Sequence, residues 1–293
     1  MNDLWFNSLR TLIASSTGVC IASDKQYLAE SRLSPLVSLF ELCGLRDLVQ
    51  HAEAKPASEL GRSAIEAMMT GETFFFRDIP LFNEIRSNLL PQLIDLRQRE
   101  KALRIWCAAC STGQEAYSVA MILDELASAL TGWQIDFVAI DISRQAIERA
   151  TTGVYNQFEV QRGLPVTHLL RHFHRHGDHW RISEYMRSQV AFSTGNLLKP
   201  AHYDHPFDLI LCRNALIYFD QDVRQTVAGV LDANLREQGF LVVGSSETNI
   251  VKAPHLCSSR HFPSVYRKIQ PQAVAETRFS ALERELATHG TDR

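Results

Sequence analysis

The sequence predicts an α/β fold in which helices cover both faces of a mostly parallel sheet, with an all-helical segment in front of it. Two observations lead to this prediction. From residue 103 onward, short apolar runs alternate with segments of helical periodicity, which is the pattern of strand–helix–strand units. Before about residue 75, apolar residues recur at helical spacing without strand-like alternation.

The first part of the chain is expected to form a small helical domain over residues 1–76. Its apolar positions repeat every three or four residues, with breaks at residues 15–18 and 43–44. A further helical pattern runs from Leu81 to about Lys101. We therefore expect residues 77–102 to form a helix that links this domain to the sheet.

Two strand–helix units are then predicted. A strand at Leu103–Ala109 precedes a helix at Gln114–Leu130, and a strand at Ile135–Ile140 precedes a helix at about 143–151. The first unit contains a turn of small residues between its strand and its helix. In a parallel sheet such a turn places a helix N-terminus where a nucleotide-like ligand can bind.

The rest of the chain is less regular. We expect a helix near Val166–Phe173 and a hairpin formed by the short runs at 181–183 and 184–186, giving a small antiparallel β-subdomain at about 176–190. The later predictions are strands at Val190–Phe192, Phe207–Cys212, Gly239–Gly244 and Ser264–Lys268, a helix at Gln221–Leu235, and a polar tail at 271–293 with a candidate helix at Phe279–Ala287.

Composition excludes several classes of protein. A net charge of −3 and a pI near 6.4 argue against a general nucleic-acid binder. The N-terminus lacks the basic start and apolar core of a signal peptide, and no window approaches 18 uncharged apolar residues, so no membrane insertion is expected. The six cysteines are scattered through apolar contexts, which indicates buried thiols in a reducing cytoplasm rather than a disulfide framework.

Polar residues follow four predicted strands, at the sheet edge where parallel α/β folds bind ligands. They are Ser111-Thr112-Gly113 with Glu115, then Asp141, Asn196 and Asn214. A carboxylate closing the second strand can accept hydrogen bonds from both hydroxyls of a ribose, and Asp141 lies close to the expected distance in sequence from Gly113. The alternative is that Asp141 only caps the following helix.

The residues of this turn restrict the class of ligand that it can bind. It lacks the G-x-G-x-x-G arrangement of a pyrophosphate site, and Glu115 would repel a diphosphate but attract an ammonium group. A nucleoside with an amino-acid end, S-adenosylmethionine, fits better than a dinucleotide, and a dehydrogenase is disfavoured on the same ground. The alternative is that Glu115 only complements the helix dipole.

A resemblance then becomes specific. The motifs TGETFFFRD (70–78), CAACSTGQEAYSVAM (107–121), VQRGLP (160–165), NLL (196–198), FDLILCRNALIYFD (207–220) and GFLVVGSSE (239–247) occur in this order. Together they resemble the chemotaxis receptor methyltransferases, the CheR family, over roughly residues 5–268. The resemblance implies a Rossmann-like S-adenosylmethionine-dependent methyltransferase domain at 103–270 with a small antiparallel β-subdomain, behind an N-terminal all-helical domain.

The resemblance also implies the activity. Such enzymes are cytoplasmic and methylate glutamate side chains on the cytoplasmic helices of methyl-accepting chemoreceptors, giving methyl esters and S-adenosylhomocysteine. No metal is called for, and we expect a monomer. A glutamate carboxylate is already ionised at pH 7 and is its own nucleophile, so the enzyme needs to position it and remove water.

Site residues follow by position from the same resemblance. The implied cofactor-binding residues are Gly71, Thr73, Arg77, Gly113, Glu115, Asp141, Asn196, Leu197, Arg213 and Asn214. Arg77 and Tyr218 are the implied catalytic residues: Arg77 orients the incoming carboxylate or holds the closed site, and Tyr218 shapes the methyl channel. The alternative for Arg77 is a surface salt bridge with Asp78. Phe74, Phe75 and Phe76 are expected to serve mainly in packing.

The sequence departs from the family pattern at two places, and it offers a few basic residues for contact with the receptor. Gly71 stands where the family usually has Asn, which puts one polar contact in doubt. The stretch between Phe173 and Asn196 is shorter than in members whose Gly-rich loop grips a receptor's C-terminal pentapeptide, so we expect independence from that peptide. The receptor-contacting candidates in the acidic N-terminal domain are Lys25, Arg32 and Arg46.

Two apparent metal motifs are interpreted otherwise. The histidines at 168, 172, 174, 176 and 179 are irregularly spaced, and we expect a solvated surface. Cys107 and Cys110 lack a second pair, and small residues are needed beneath a cofactor. Two other functions stay open: a small-molecule carboxyl methyltransferase, and a non-catalytic module that binds the cofactor and docks to receptors.

Overall fold

The computed structural model describes residues 4–199, 202–251 and 253–269; the predicted helix at 279–287 lies outside the described residues. Four helices come first: α1 (Leu4–Thr17), α2 (Gln26–Leu39), α3 (Leu45–Ala54) and α4 (Glu59–Met68). Side chains spaced three or four residues apart on α1, such as Phe6, Leu9 and Ile13, are buried in a core that all four helices share. The prediction of an N-terminal helical region is confirmed.

A broken helix leads into the sheet. It consists of α5 (Ile79–Glu84), a π-helical turn (Ile85–Leu89) and α6 (Leu90–Leu96), and ends five residues before the predicted end. Pro91 lies at the start of α6 and has no N–H to continue α-helical hydrogen bonding, which accounts for a π-turn directly before it. The buried face of this helix packs on the core of the sheet.

The main sheet has seven strands in the order β6-β2-β1-β7-β8-β10-β9. The strands of the chain are β1 (Ala102–Cys107), β2 (Gln134–Asp141), β3 (Val154–Tyr155), β4 (Phe173–His176), β5 (His179–Ile182), β6 (Ala191–Thr194), β7 (Phe207–Cys212), β8 (Leu235–Val243), β9 (Leu256–Ser258) and β10 (Val265–Lys268). The first five strands in the sheet order are parallel, whereas β10 and β9 pair antiparallel at one edge. The mixed, mostly parallel sheet matches the predicted fold class.

Helices cover both faces of this sheet. They are α7 (Gln114–Glu125), α8 (Arg144–Thr152), α9 (Gln157–Gln161), α10 (Val166–His172), α11 (Glu184–Ser188) and α12 (Gln221–Asn234). Alternate residues of one strand enter different cores: Ile105 packs with α5, α6 and α7, whereas Trp106 packs with α12. Strand alternation therefore decides which side chains reach each helical layer.

The small antiparallel sheet lies earlier than predicted. Its order is β3-β5-β4, and the hairpin joins β4 to β5 across Gly177 and Asp178. The segment at 184–186, predicted as the second hairpin strand, is instead the start of α11, where Ser183 caps the helix by accepting a hydrogen bond from the Met186 N–H. The capping residue Ser183 thus starts a helix where the alternation of apolar and polar residues had predicted a strand.

The histidines also differ from the prediction in part. His168 and His172 are buried on the core side of α10, where the His168 ring stacks on Phe76 with centroids 5.1 Å apart. His174 and His176 on the hairpin are exposed, as expected of a surface. The expectation of a solvated surface was wrong for the two helical histidines because they follow the apolar spacing of α10.

Candidate functional site

The carboxyl ends of β1, β2 and β7 open into a cavity of about 370 Å³, a size typical of small-molecule sites. The N-terminal helices and the segment at 70–77 cover its other side. Ten of the eleven residues proposed from the sequence line it: Gly71, Thr73, Arg77, Glu115, Asp141, Asn196, Leu197, Arg213, Asn214 and Tyr218. The sequence motifs, which are up to 147 residues apart in the chain (218 − 71), therefore meet at one place.

Gly113 lies at the turn behind the cavity wall. It is the N-cap of α7 with φ of +93°, a left-handed conformation that favours glycine. A Cβ on it would lie 2.9 Å from the Cβ of Ala150 on α8. The glycine therefore serves close packing of the turn against α8.

Asp141 closes β2 and holds the turn after β1. One carboxylate oxygen accepts from the Ser111 N–H at 2.8 Å and the other from the Ser143 N–H at 3.0 Å. Burial raises the pKa of Asp141, and hydrogen bonds from the Ser143 and Ser111 backbones oppose that shift. The N-cap residue of α8 is Ser143, whose hydroxyl accepts from the Ala146 N–H. Asp141 is therefore not the N-cap of that helix, contrary to the alternative considered from the sequence.

Glu115 and Arg213 form an ion pair at the bottom of the cavity. The Glu115 Oε2 lies 2.6 Å from the Arg213 Nη1, with side chains 11% and 2% exposed, and the Cys107 thiol donates to the other carboxylate oxygen at 3.3 Å. Sequence analysis gave each residue a cofactor contact and missed the pairing. The side chains meet because β1 and β7 are neighbours in the sheet.

Arg77 is fixed by its backbone while its side chain faces the cavity. The Arg213 Nη2 donates to the Arg77 carbonyl at 2.7 Å, and the Ser118 hydroxyl accepts from the Phe76 N–H at 2.9 Å. The Arg77 guanidinium donates to the Glu72 carbonyl oxygen at 3.0 Å. Within the described residues it makes no salt bridge, so the pairing with Asp78 weighed as an alternative is absent.

The three phenylalanines before Arg77 pack as expected, with one difference. Phe75 and Phe76 are buried, and Phe75 packs edge-on against Tyr155 and Phe173. Phe74 is only half-buried, with a guanidinium carbon of Arg77 5.6 Å from its ring centroid. Phe74 thus lies at the edge of the core, between the cavity-lining residues Thr73 and Arg77 along the chain.

Tyr218 and Asn196 connect the site to the end of α1. The Asn196 side chain donates to the Ser16 carbonyl at 2.9 Å, and the Cys20 N–H donates to the Tyr218 carbonyl at 2.8 Å. Gly18, with φ of +77°, lies between these contacts, and a Cβ there would approach Leu198 to 2.9 Å. The N-terminal helices are therefore attached to the loops that close the cavity.

Besides Glu72, which lines the cavity, two further acidic residues near the site were missed from the sequence. Glu247, fully buried, accepts from the backbone N–H groups of Asn214, Ile217 and Gly244, and so shapes the loop after β7. Glu66 on α4 lines the cavity and pairs with Arg144 at 3.1 Å. Glu247 stands in the GSSE motif at 244–247, which could have indicated it, whereas no local sequence pattern indicated Glu66.

No group of three or more histidine, cysteine or acidic side chains is arranged to hold a metal ion in the part of the chain that the structure describes. The thiols of Cys107 and Cys110 are free and buried, and burial raises the pKa of each well above its usual value. Protonated, buried thiols behave as small apolar side chains. Cys107 and Cys110 pack in the core beneath the turn. Cys20, Cys43 and Cys257 are exposed, so the expectation of buried thiols was wrong for these three.

The polar groups present fit S-adenosylmethionine, the cofactor that the sequence implies. Asp141 lines the cavity at the end of β2, and a carboxylate there can accept hydrogen bonds from ribose hydroxyls. The Arg213 Nε is buried without a hydrogen-bond partner, and its N–H suits the carboxylate of an amino-acid end, while Glu115 suits the ammonium group. The Glu115–Arg213 pair thus provides a negative charge for the ammonium group of an amino acid and a positive charge for its carboxylate.

Comparisons with known proteins agree with this geometry. Residues 71–265 match the family model described as "CheR methyltransferase, SAM binding domain". The chain is 35% identical over 251 residues to chemotaxis protein methyltransferase Cher2 of Pseudomonas putida, covering 84% of this chain and 90% of that protein. It is also 35% identical over 246 residues to chemotaxis protein methyltransferase 1 of Pseudomonas aeruginosa, covering 83% and 89%.

Two further likenesses are more partial. The probable biofilm formation methyltransferase WspC of Pseudomonas aeruginosa is 35% identical over 192 residues, covering 65% of this chain and 44% of that protein. The solved structure of PKMT2 from Rickettsia typhi in complex with AdoHcy has a TM-score of 0.36 and 13% identity, covering 60% of this chain and 26% of that one. Among the helices that the structure describes, none has the length and apolarity needed to span a membrane.

Proposed function

The chain belongs to the CheR methyltransferase family, whose domain binds S-adenosylmethionine, and we propose that it methylates glutamate side chains of chemoreceptors to methyl esters. The methyltransferase activity in chemotaxis follows from the family. The proposal adds the acceptor group and the protein that carries it. The observation that carries it is Arg77, a cation in the cavity wall that makes no salt bridge among the described residues and donates one described hydrogen bond, to the Glu72 carbonyl.

Arg77 suits an anionic acceptor. A guanidinium presents several donors in a fixed plane and binds a carboxylate through two of them. Its single hydrogen bond to the Glu72 carbonyl leaves donors available. Because a glutamate side chain is ionised at neutral pH, it needs no general base, and its orientation and desolvation are what the protein can supply.

S-adenosylmethionine, when bound, supplies a methyl group on a positively charged sulfur. Asp141 would hold its ribose, Asn196 and Leu197 its adenine, and Glu115 with Arg213 its amino-acid end. Arg77 orients the acceptor carboxylate, and Tyr218 limits the space open to it. Thr73 and Gly71 close the cavity from the side of the N-terminal helices, where the Gly71 carbonyl accepts from the Ser111 hydroxyl at 2.7 Å.

The receptor is proposed to dock beside the N-terminal helices, but one predicted contact needs revision. The Arg32 guanidinium donates to the Met68 carbonyl at 3.0 Å and reaches the neighbouring carbonyls at the end of α4. It is therefore engaged in capping that helix. Lys25 lies beside Asp24 at 3.6 Å, and Arg46 is exposed, so these two remain the candidates there.

Independence from a receptor's C-terminal pentapeptide is part of the proposal. The hairpin between β4 and β5 turns through two residues, Gly177 and Asp178, with His176 paired to His179. Such a tight turn has no room for the Gly-rich loop that grips the peptide in other members. Calorimetric titration with that pentapeptide should give no binding heat, and micromolar affinity would contradict this part.

The assay for the acceptor group is transfer of labelled methyl from S-adenosylmethionine to chemoreceptor cytoplasmic fragments, followed by mild base. Carboxyl methyl esters release the label as methanol, whereas methylated nitrogen retains it. We expect base-labile label on the fragment. Base-stable label would contradict methylation of a carboxylate.

A further inference from the structure

The VQRGLP segment at 160–165 ends α9 and continues as a loop that packs against Phe74 and Phe75, outside the cavity lining. Gly163 has φ of +85°, and a Cβ on it would collide with the Phe75 carbonyl oxygen. Leu164 is buried in the core that includes Phe75. The loop is therefore held firmly against the segment that positions Arg77.

This packing brings a second guanidinium beside Arg77. The guanidinium carbon of Arg162 lies 4.3 Å from the centroid of the Phe74 ring, and that of Arg77 lies 5.6 Å from the same centroid. Stacking on the ring restricts Arg162 while leaving its edge free to bind an anion. Two guanidinium groups thus contact the same aromatic ring, and one of them, Arg77, also lines the cavity.

In the free protein, Arg162 is paired with the carboxylate of Glu72. The Arg162 Nη2 donates to the Glu72 Oε1 at 2.7 Å, with the two side chains 40% and 64% exposed. Glu72 also lines the cavity, and the hydrogen bond and charge of Arg162 lower the pKa of Glu72, with a smaller effect of Arg77. An ion pair this exposed is weak and easily exchanged for another.

We propose that Arg162 binds a second carboxylate of the protein substrate, beside the glutamate that Arg77 orients, and that Glu72 holds this place in the free enzyme. The inference rests on the proposed function. On a helical substrate, residues three or four apart share one face, so the second carboxylate lies one turn from the methylated glutamate. Arg162 thereby makes the enzyme selective for glutamates with an acidic neighbour.

The test uses the full chain and a chemoreceptor cytoplasmic fragment that the wild-type enzyme methylates. A second fragment has the acidic neighbour changed to Gln. Arg162→Gln should raise KM for the acidic fragment roughly fivefold, the size of one exposed ion pair, with kcat unchanged, and should leave KM for the neutral fragment unaltered. An equal KM on the acidic fragment, or an equal rise on both fragments, would overturn the inference.

Arg175→Gln is the matched control. Arg175 also stacks on an aromatic ring, with its guanidinium carbon 4.4 Å from the Trp180 centroid, but it lies on the hairpin, whereas Arg162 stacks on Phe74 beside Arg77. Its loss should leave both KM values unchanged. A rise equal to that of Arg162→Gln would show that general positive charge, rather than this position, is recognised.

Two variants separate recognition from structure. Glu72→Gln releases Arg162 in an intact chain and should lower KM for the acidic fragment about twofold. The exchange Arg162→Glu with Glu72→Arg rebuilds the ion pair with the charges reversed. If Arg162 recognises substrate, KM stays raised in the exchanged variant; recovery of the wild-type KM would show a purely structural pair and sink the inference.

Failure of the proposed function gives a different result. In that case the wild-type enzyme itself places no base-labile methyl on any chemoreceptor fragment, and the inference falls with it. Base-labile transfer by the wild-type enzyme, together with a KM that Arg162→Gln does not change, contradicts the inference alone.

Discussion

At the scale of single residues, charges in this site are compensated by partners that are distant in the sequence. Glu115 and Arg213 are 98 residues apart, yet their side chains meet at 2.6 Å beneath the cavity. Breaking such a buried pair leaves one charge unpaired in a poorly solvated place, which is more costly than losing an exposed pair. The pair therefore supports both the fold and the site.

Glu115→Ala should lower the free energy of unfolding by about 3 kcal/mol, because Arg213 loses its counter-charge. Urea denaturation measures the change. The matched control is Asp204→Ala, since Asp204 lies 3.9 Å from His202 with both side chains about nine-tenths exposed. Equal stability of the two variants would show that the buried pair contributes nothing to folding.

Arg77→Ala should lower kcat roughly a hundredfold, as loss of one preorganised charged donor does, while the circular dichroism spectrum persists. The hydrogen bond from Arg213 to the Arg77 carbonyl involves only the Arg77 backbone and survives the substitution. Steady-state kinetics and circular dichroism give the two quantities. Near-normal turnover would remove Arg77 from the mechanism.

Sequence reasoning found residues of the site that stand in motifs and missed those that act across helices. Asp141 and Asn214 were identified because each follows a strand. Glu66 was missed because it stands inside α4, and its contact with Arg144 exists only after the N-terminal helices meet α8. The burial of Gly113 against α8 likewise depends on tertiary packing.

At the scale of elements, α10 carries a buried pair of histidines next to the segment that holds Arg77. His168 lies between Phe76 and His172 and is 3.0 Å from Glu125, which also pairs with Arg86. Burial lowers the pKa of His168, although Glu125 acts in the opposite direction. For His172, burial again lowers the pKa, against the effect of nearby Asp124, while Arg171 adds to the lowering.

Lowered histidine pKa values make stability fall in acid. The unfolded chain binds the proton near the ordinary value of 6.5, before the folded chain does, so the stabilisation is present above that pH and is lost as the pH falls through it. Thermal unfolding from about pH 7.5 to about pH 5.5 should show this loss. His168→Phe, which keeps the stacking on Phe76, should reduce it.

His174→Phe on the exposed hairpin provides the comparison for that experiment. Its melting temperature should fall with pH as steeply as that of the wild type. A pH dependence that is unchanged in His168→Phe would place the acid sensitivity elsewhere.

The elements that sequence analysis placed well were those with a strong apolar pattern. The strand at Phe207–Cys212, buried along its whole length, was predicted with the observed bounds. The hairpin was misplaced because β4 and β5 are short and mostly polar, and their turn at Gly177 and Asp178 was not recognised. Exposed strands of a small sheet carry little periodic signal.

At the scale of the whole molecule, the N-terminal helices and the sheet close one cavity between them. Glu66 meets the start of α8, Ser16 meets Asn196, and Cys20 meets the loop at Tyr218. Each contact joins the helical region to a loop that follows a strand of the sheet. If the substrate docks on these helices, as we propose, it would lie beside the carboxyl edge of the sheet, where the cavity opens.

The central claim is that this cavity transfers a methyl group to a glutamate side chain of a chemoreceptor. Peptide mass spectrometry of a receptor fragment, after incubation with the enzyme and S-adenosylmethionine, tests it most directly. The account predicts glutamate residues heavier by one methylene, absent when the enzyme carries Asp141→Ala. Methylation on lysine, on arginine or on the peptide termini, with glutamate unmodified, would contradict it.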